Sequence, residues 1–124
     1  MTRLLVVDDE PEICEFLKTF FEERDFKVQI ANSGEAALER LEKFKPHVVL
    51  LDIKMGLVDG LAVLRKVKEK DPRTKVIMVT AIETKDKIEE AMRLGADNYI
   101  TKPLSLEYLE NDVREKVATL ALSY

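Results

Sequence analysis

Residues 48–52, Val-Val-Leu-Leu-Asp, constrain the fold of this chain more than any other stretch. Four apolar residues without charge or helical period are typical of a short strand that is buried on both faces. A strand of this kind belongs to a parallel sheet covered on both sides. The aspartate that ends the run, Asp52, is then expected where the strand leaves the core.

Three other short runs also lead into polar side chains. The runs 4–7, 76–79 and 98–100 predict three further strands. The polar residues that follow them are Asp8 and Asp9, Thr80, and Lys102. Ligands of open α/β sheets bind at the carboxyl ends of the strands. We therefore expect these side chains and Asp52 to form one composite site.

Segments with helical periodicity separate the strands, which predicts an α/β fold. Five strands and five helices in alternation favour a doubly wound, flavodoxin-like parallel sheet with helices on both faces. The runs 4–7, 48–51 and 76–79 are wholly apolar and should be central, whereas 27–30 alternates and 98–100 is short, so both should be edges. The predicted strand order is 2-1-3-4-5. In that order the chain reverses direction beside Asp8, Asp9 and Asp52.

Local signals place several helix boundaries and buried faces. Asn32, with Glu35 three residues later, has the spacing of a capping box, and Asp59 is a predicted N-cap. Gly56 lies in the loop between Asp52 and Asp59. Three helices are expected to bury these residues: Ile13, Phe16, Leu17, Phe20 and Phe21 in the first; Ile88, Ala91 and Met92 in one beginning near Thr84; and Leu106, Leu109, Val113, Val117 and Leu120 in one from Ser105.

Composition limits the function classes. A chain of 124 residues with 46% hydrophobic content is enough for one domain, residues 1–124. A net charge of −4 argues against direct contact with nucleic acid. The single cysteine, Cys14, excludes an internal disulfide and is expected to pack within a helix. The sequence shows no leader and no membrane-length apolar run, so we expect a cytoplasmic protein without membrane contact.

Five motifs in this order resemble the receiver domain of two-component response regulators. They are VVDDE with Asp8 and Asp9, LLDIKM with Asp52, VDG with Gly60, VTA with Thr80, and GADNYITKP with Tyr99 and Lys102. The resemblance covers the whole chain. One departure is that Gly56 follows Met55, where receivers commonly carry Met-Pro. The resemblance implies a signalling switch phosphorylated on Asp52, not a stand-alone enzyme.

Converging carboxylates repel one another unless a divalent cation neutralises them, and oxygen ligands favour Mg²⁺, with Mn²⁺ as the alternative. The resemblance implies that Asp9, Asp52 and the backbone carbonyl of Lys54 bind Mg²⁺ and that Asp8 acts mainly through water. Asp52 would attack a phosphoryl group, and Mg²⁺, Lys102 and Thr80 would stabilise the negative charge on its oxygens.

The resemblance also implies how the signal is passed on. Thr80 and Tyr99 would switch together, and residues 84–93 and 98–121 would form the responding surface. The phosphoryl donor would be a sensor histidine kinase or phosphotransfer protein docking on the first helix near Pro11, Cys14, Glu15 and Lys18. The target would be a downstream effector protein or kinase, with the chain a monomer or a phosphorylation-dependent homodimer. A cis Lys102–Pro103 bond is expected, and Lys54 and Ile82 would influence the phosphate lifetime.

Each of these polar residues also has a simpler role that the sequence leaves open. Taken singly, Asp9 and Thr80 are typical helix caps, Asp52 is a typical turn residue, and Tyr99 fits edge-strand packing.

Three alternative functions remain open as well. A haloacid-dehalogenase-type phosphatase uses a similar set of residues, but its nucleophile comes first within Asp-x-Asp. A receiver-like module that only binds proteins is a second alternative. A flavin or nucleotide binder is less favoured because the four glycines form no phosphate-binding loop. A single-domain regulator and a receiver cut from a longer protein would have the same sequence features.

Overall fold

The computed structural model describes residues 1–55, 58–81 and 86–124, without the side chain of Val58. Five parallel strands form one sheet in the order β2-β1-β3-β4-β5. Their bounds are β1 Arg3–Val7, β2 Lys27–Ala31, β3 Val48–Asp52, β4 Lys75–Thr80 and β5 Asn98–Thr101. The predicted fold class and strand order are confirmed. The predicted loop at Gly56, the helix start near Thr84, and Ile82 lie outside the described residues.

Helices cover both faces of the sheet. Their bounds are α1 Pro11–Glu22, α2 Gly34–Phe44, α3 Gly60–Lys70 and α4 Ile88–Arg93, followed by α5, a continuous segment of α-helical Leu106–Tyr108, a π-helical stretch Leu109–Val113 and α-helical Arg114–Ala121. Among the described helices, none is long and apolar enough to cross a membrane.

Alternating side chains of the central strands divide the core into two halves. Val48 and Leu50 of β3 pack in the same cluster as residues of α1 and α5. Val49 and Leu51 pack in the other cluster with residues of α2 and α3. Successive strand residues point to opposite faces, so a run without polar residues is needed where both faces are covered. The prediction that β3 is buried on both faces is confirmed.

Three apolar residues that we expected inside helix faces are exposed. The exposed fractions are 39% for Phe16, 43% for Met92 and 61% for Leu106. Adjacent helix residues lie about 100° apart, so Leu17 and Ala91 take the inward positions beside Phe16 and Met92. Along α5 burial begins at Leu109, one turn after Leu106.

The N-terminus of α2 differs from the predicted capping box. Ser33, not Asn32, is the N-cap, and its hydroxyl accepts a hydrogen bond of 3.1 Å from the Ala36 N–H. The Asn32 amide instead donates to the backbone carbonyl of Asp8 at 2.9 Å. The Asn32 side chain thus contacts a residue 24 positions away, and its neighbour Ser33 caps the helix.

Replacing Ser33 with alanine is expected to lower the free energy of unfolding by about 1 kcal/mol, because one N–H of the first turn of α2 loses its partner. Urea denaturation monitored by circular dichroism measures the change. Ser33→Asp, which keeps an acceptor at the N-cap, is the control and should remain close to wild type. Equal losses in both variants would contradict the capping role.

The segment after Asp52 is a two-stranded antiparallel ribbon where we had expected only a loop. Lys54–Met55 pairs with Val58–Asp59. The ribbon ends at the start of α3, where the Asp59 carboxylate accepts a hydrogen bond of 2.9 Å from the Leu61 N–H. The prediction that Asp59 caps this helix is confirmed. The ribbon therefore brings the start of α3 back to the carboxyl end of β3.

Candidate functional site

Three of the predicted site residues meet at the carboxyl ends of the strands. Asp8 follows β1, Asp52 ends the neighbouring β3, and Lys102 follows β5. The ammonium nitrogen Nζ of Lys102 lies 3.1 Å from Oδ2 of Asp52 and 3.5 Å from Oδ2 of Asp8. Both carboxylates are buried, with 6% of Asp52 and 3% of Asp8 exposed. The sheet thus holds the two buried carboxylates of Asp8 and Asp52 close to the Lys102 ammonium group.

Burial and the neighbouring charge of Asp8 raise the pKa of Asp52 from 3.8 to about 6. Lys102 and the Lys54 N–H, which donates to Oδ1 of Asp52 at 3.2 Å, oppose this shift without cancelling it. Burial disfavours the charged Lys102, but the two carboxylates outweigh it and raise the pKa of Lys102. Asp52 is therefore ionised at neutral pH, at a cost that a further cation would reduce.

An acidic loop, Asp8 to Glu10, lies beside this pair. One carboxylate oxygen of each of its residues lies within 4.8 Å of the others. Asp9 and Glu10 are exposed, whereas Asp8 is buried. Three close oxygen donors without nitrogen or sulfur suit Mg²⁺ or Mn²⁺, so these residues fit a hard divalent cation. Glu10 was missed from the sequence, although its position directly after two aspartates was a signal.

Thr80 and Lys102 are linked through the backbone. The Lys102 N–H donates to the Thr80 carbonyl at 2.8 Å, and the Lys102–Pro103 bond is cis, as predicted. The Thr80 side chain is fully buried, and its hydroxyl donates to the Ala81 carbonyl at 3.1 Å. In the sheet Asp52 pairs with Val79, the residue before Thr80. The hydroxyl-bearing residue therefore follows the strand position beside Asp52.

Tyr99 and Lys54 lie outside the buried pair. Tyr99 is on the edge strand β5 and is 39% exposed. The Lys54 side chain is exposed, and its backbone N–H makes the contact with Asp52.

Cys14 is completely buried behind the acidic loop, so it is not available to a docking partner. Our expectation that it lies on the docking surface is wrong, whereas the expectation that it packs within a helix is confirmed. Burial and the nearby Asp8 raise the pKa of the Cys14 thiol to about 11. The protonated thiol donates a hydrogen bond of 3.4 Å to the Asp8 carbonyl.

Residues 4–114 match the family model of the response regulator receiver domain. The chain belongs to this receiver family. Among its curated relatives, the regulatory protein AtoC of Escherichia coli is 38% identical over 88% of this chain, and this chain spans 24% of AtoC. The chemotaxis protein CheY of Listeria monocytogenes is 35% identical over 86% of this chain, which covers 91% of that protein. The receiver thus resembles both a short relative and one part of a much longer one.

Solved receiver structures share the fold. A CheY-like receiver domain protein from Methanospirillum hungatei superposes with a TM-score of 0.88 at 29% identity, over 100% of this chain and 99% of that one. NtrX from Brucella abortus gives a TM-score of 0.87 at 28% identity, over 98% of this chain and 28% of NtrX. Receiver domains of response regulators take part in phosphorylation-dependent signalling, and this chain is a receiver domain of that class.

Proposed function

We propose that residues 1–124 form one receiver domain that accepts a phosphoryl group on Asp52 in a Mg²⁺-dependent reaction. The observation that carries this proposal is the buried Asp52 carboxylate, paired with Lys102 beside Asp8 at the edge where β1 and β3 end. A buried carboxylate held by a lysine is suited to nucleophilic attack, because its position is constrained and the approaching negative charge has a partner.

Each residue of the site has its own role in the proposed phosphoryl transfer. An Asp52 oxygen bonds to the phosphorus of a phosphohistidine, the phosphorus–nitrogen bond breaks, and the leaving imidazole takes up a proton. The Lys102 ammonium faces the phosphoryl oxygens, and Thr80 supplies a hydroxyl from the end of β4. When bound, Mg²⁺ supplies positive charge opposite the developing negative charge. Asp8, Asp9 and Asp52, with the backbone carbonyl of Lys54, are the proposed ligands. Of these, Asp8 and Asp9 lie in the acidic cluster with Glu10, which is an additional candidate.

The phosphoryl donor in this proposal is a sensor histidine kinase or a phosphotransfer protein. The donor docks on the exposed side of α1 near Pro11, Glu15 and Lys18, where Phe16 is 39% exposed. Phosphorylation at Asp52 then changes the surface of α4, β5 and α5 through Thr80 and Tyr99. The output is contact with a downstream effector protein or kinase, or formation of a homodimer.

The test is intact-mass spectrometry after incubation with Mg²⁺ and acetyl phosphate. We expect one added phosphoryl group, labile to hydroxylamine, on the wild-type chain. Asp52→Asn and wild type in excess EDTA should show none. Asp59→Asn removes a nearby carboxylate but keeps a helix cap, so it should be phosphorylated as wild type is. No adduct on wild type, or an equal adduct on Asp52→Asn, would overturn the proposal.

A further inference from the structure

The backbone of the acidic loop is held from behind by two residues of other elements. The Asp8 carbonyl oxygen accepts hydrogen bonds from Nδ2 of Asn32 at 2.9 Å and from the thiol of Cys14 at 3.4 Å. The Asn32 amide also contacts the Cys14 sulfur at 3.4 Å. On the other side of the same residue, the Asp8 N–H donates to the Ala31 carbonyl at 3.1 Å.

These bonds restrict the rotation of the backbone at Asp8. A peptide unit is planar, so a bond to the N–H orients the unit before Asp8 and a bond to the carbonyl orients the unit after it. That second unit leads directly to Asp9, whose Cα–Cβ direction it helps to set. Holding both units therefore constrains where the carboxylates of Asp8 and Asp9 can lie.

Such restraint matters because the carboxylates of the loop repel one another. Without a cation, repulsion favours conformations in which the side chains turn apart, and binding would have to reverse that movement. A backbone fixed by neutral donors keeps the acids close before the cation arrives. The donors add no charge at the site, so they orient the ligands without competing for the metal.

We propose that Asn32 is a positioning residue for divalent-cation binding, acting through its hydrogen bond to the Asp8 carbonyl. This inference rests on the proposed Mg²⁺-dependent function. Asn32 is better suited to the task than its neighbour Ser33, because the amide reaches the Asp8 carbonyl while the Ser33 hydroxyl is used to cap α2. The two adjacent residues therefore have separable roles, one toward the cation and one toward the helix.

The experiment compares wild type, Asn32→Ala and Ser33→Ala by isothermal titration calorimetry with MgCl₂. Loss of a group that orients metal ligands typically weakens metal affinity by about 10–100-fold, and because Asn32 acts through the backbone we expect about tenfold for Asn32→Ala. Ser33→Ala removes a hydrogen bond at the residue next to Asn32 but leaves the contacts of Asp8 unchanged. The Mg²⁺ affinity of this variant should equal that of wild type.

A second readout separates cation binding from the chemical step. The acetyl phosphate reaction of Asn32→Ala should need more Mg²⁺ for half-maximal rate, yet reach the wild-type rate at saturating Mg²⁺. Wild-type affinity in Asn32→Ala, or an equal loss of affinity in Ser33→Ala, would overturn the positioning role while leaving the proposed function intact. Wild type that neither binds Mg²⁺ nor is phosphorylated would instead overturn both.

Discussion

Replacing Gly60 with alanine is expected to lower the free energy of unfolding by about 3 kcal/mol or more, since overpacking against rigid atoms is costly. A Cβ at this position would lie 2.3 Å from the Asp52 carbonyl oxygen and 2.6 Å from that of Ile53. Both are backbone atoms, so no side-chain rotation can relieve the clash. The Gly60 N–H also donates to the Ile53 carbonyl at 2.7 Å, which draws the start of α3 against the end of β3.

Urea denaturation of Gly60→Ala measures this loss, with Gly95→Ala as the matched control. Gly95 has a φ of +103°, but a Cβ there would approach only the Lys68 side chain, no closer than 3.5 Å. Its substitution carries a backbone penalty of about 1–2 kcal/mol without the steric clash. If Gly60→Ala were no more destabilising than Gly95→Ala, the close approach of α3 to β3 would not be the reason for glycine.

Replacing Asp52 with asparagine is expected to raise the free energy of unfolding of the metal-free protein by about 3 kcal/mol at pH 8, because each pKa unit corresponds to about 1.4 kcal/mol. Burial and the charge of Asp8 raise the pKa of Asp52 from 3.8 to about 6, so ionisation is more costly in the folded chain than in the unfolded one. Asparagine removes that charge. The same change that abolishes phosphorylation in our proposal thus stabilises the fold.

The stability gained by Asp52→Asn should increase as the pH rises. Between the pKa of 3.8 in the unfolded chain and about 6 in the folded one, the folded state binds more protons at Asp52. The contribution of Asp52 to stability is therefore fully present below pH 3.8 and is lost as the pH rises through about 6. The difference between Asp52→Asn and wild type should be close to zero near pH 3 and level off above pH 7.

Denaturation in EDTA across this pH range is the measurement, and Asp59→Asn is the control. Asparagine and aspartate are equally good N-caps, so Asp59→Asn should remain close to wild type. A difference between Asp52→Asn and wild type that stayed constant with pH would show that burial does not raise the pKa of Asp52. Adding Mg²⁺ should stabilise wild type more than Asp52→Asn, so the difference in free energy of unfolding between the two proteins should become smaller.

Packing decided details that local periodicity left open. A helical stripe about 100° wide marks the buried side of α1 and α4, but neighbouring residues compete for the inward position. Leu17 and Ala91 occupy it, so Phe16 and Met92 are exposed. Packing also decided the role of Asn32. Its spacing to Glu35 predicts a helix cap, but its side-chain amide donates a hydrogen bond to the Asp8 carbonyl instead. Local patterns carry no information about such distant partners.

The sequence by itself determined the class of fold, the order of the strands and the edge of the sheet where the polar residues gather. Uninterrupted apolar runs predict strands buried on both faces, and parallel strands direct the residues that follow them to one edge. Only the tertiary structure decided that Lys102 lies between Asp8 and Asp52, that Asn32 and Cys14 hold the acidic loop, and that Gly60 leaves no room for a Cβ. The reason is that local periodicity predicts which side of a segment is buried. Contacts between residues far apart along the chain form only when the helices and strands pack together, so no local pattern predicts them.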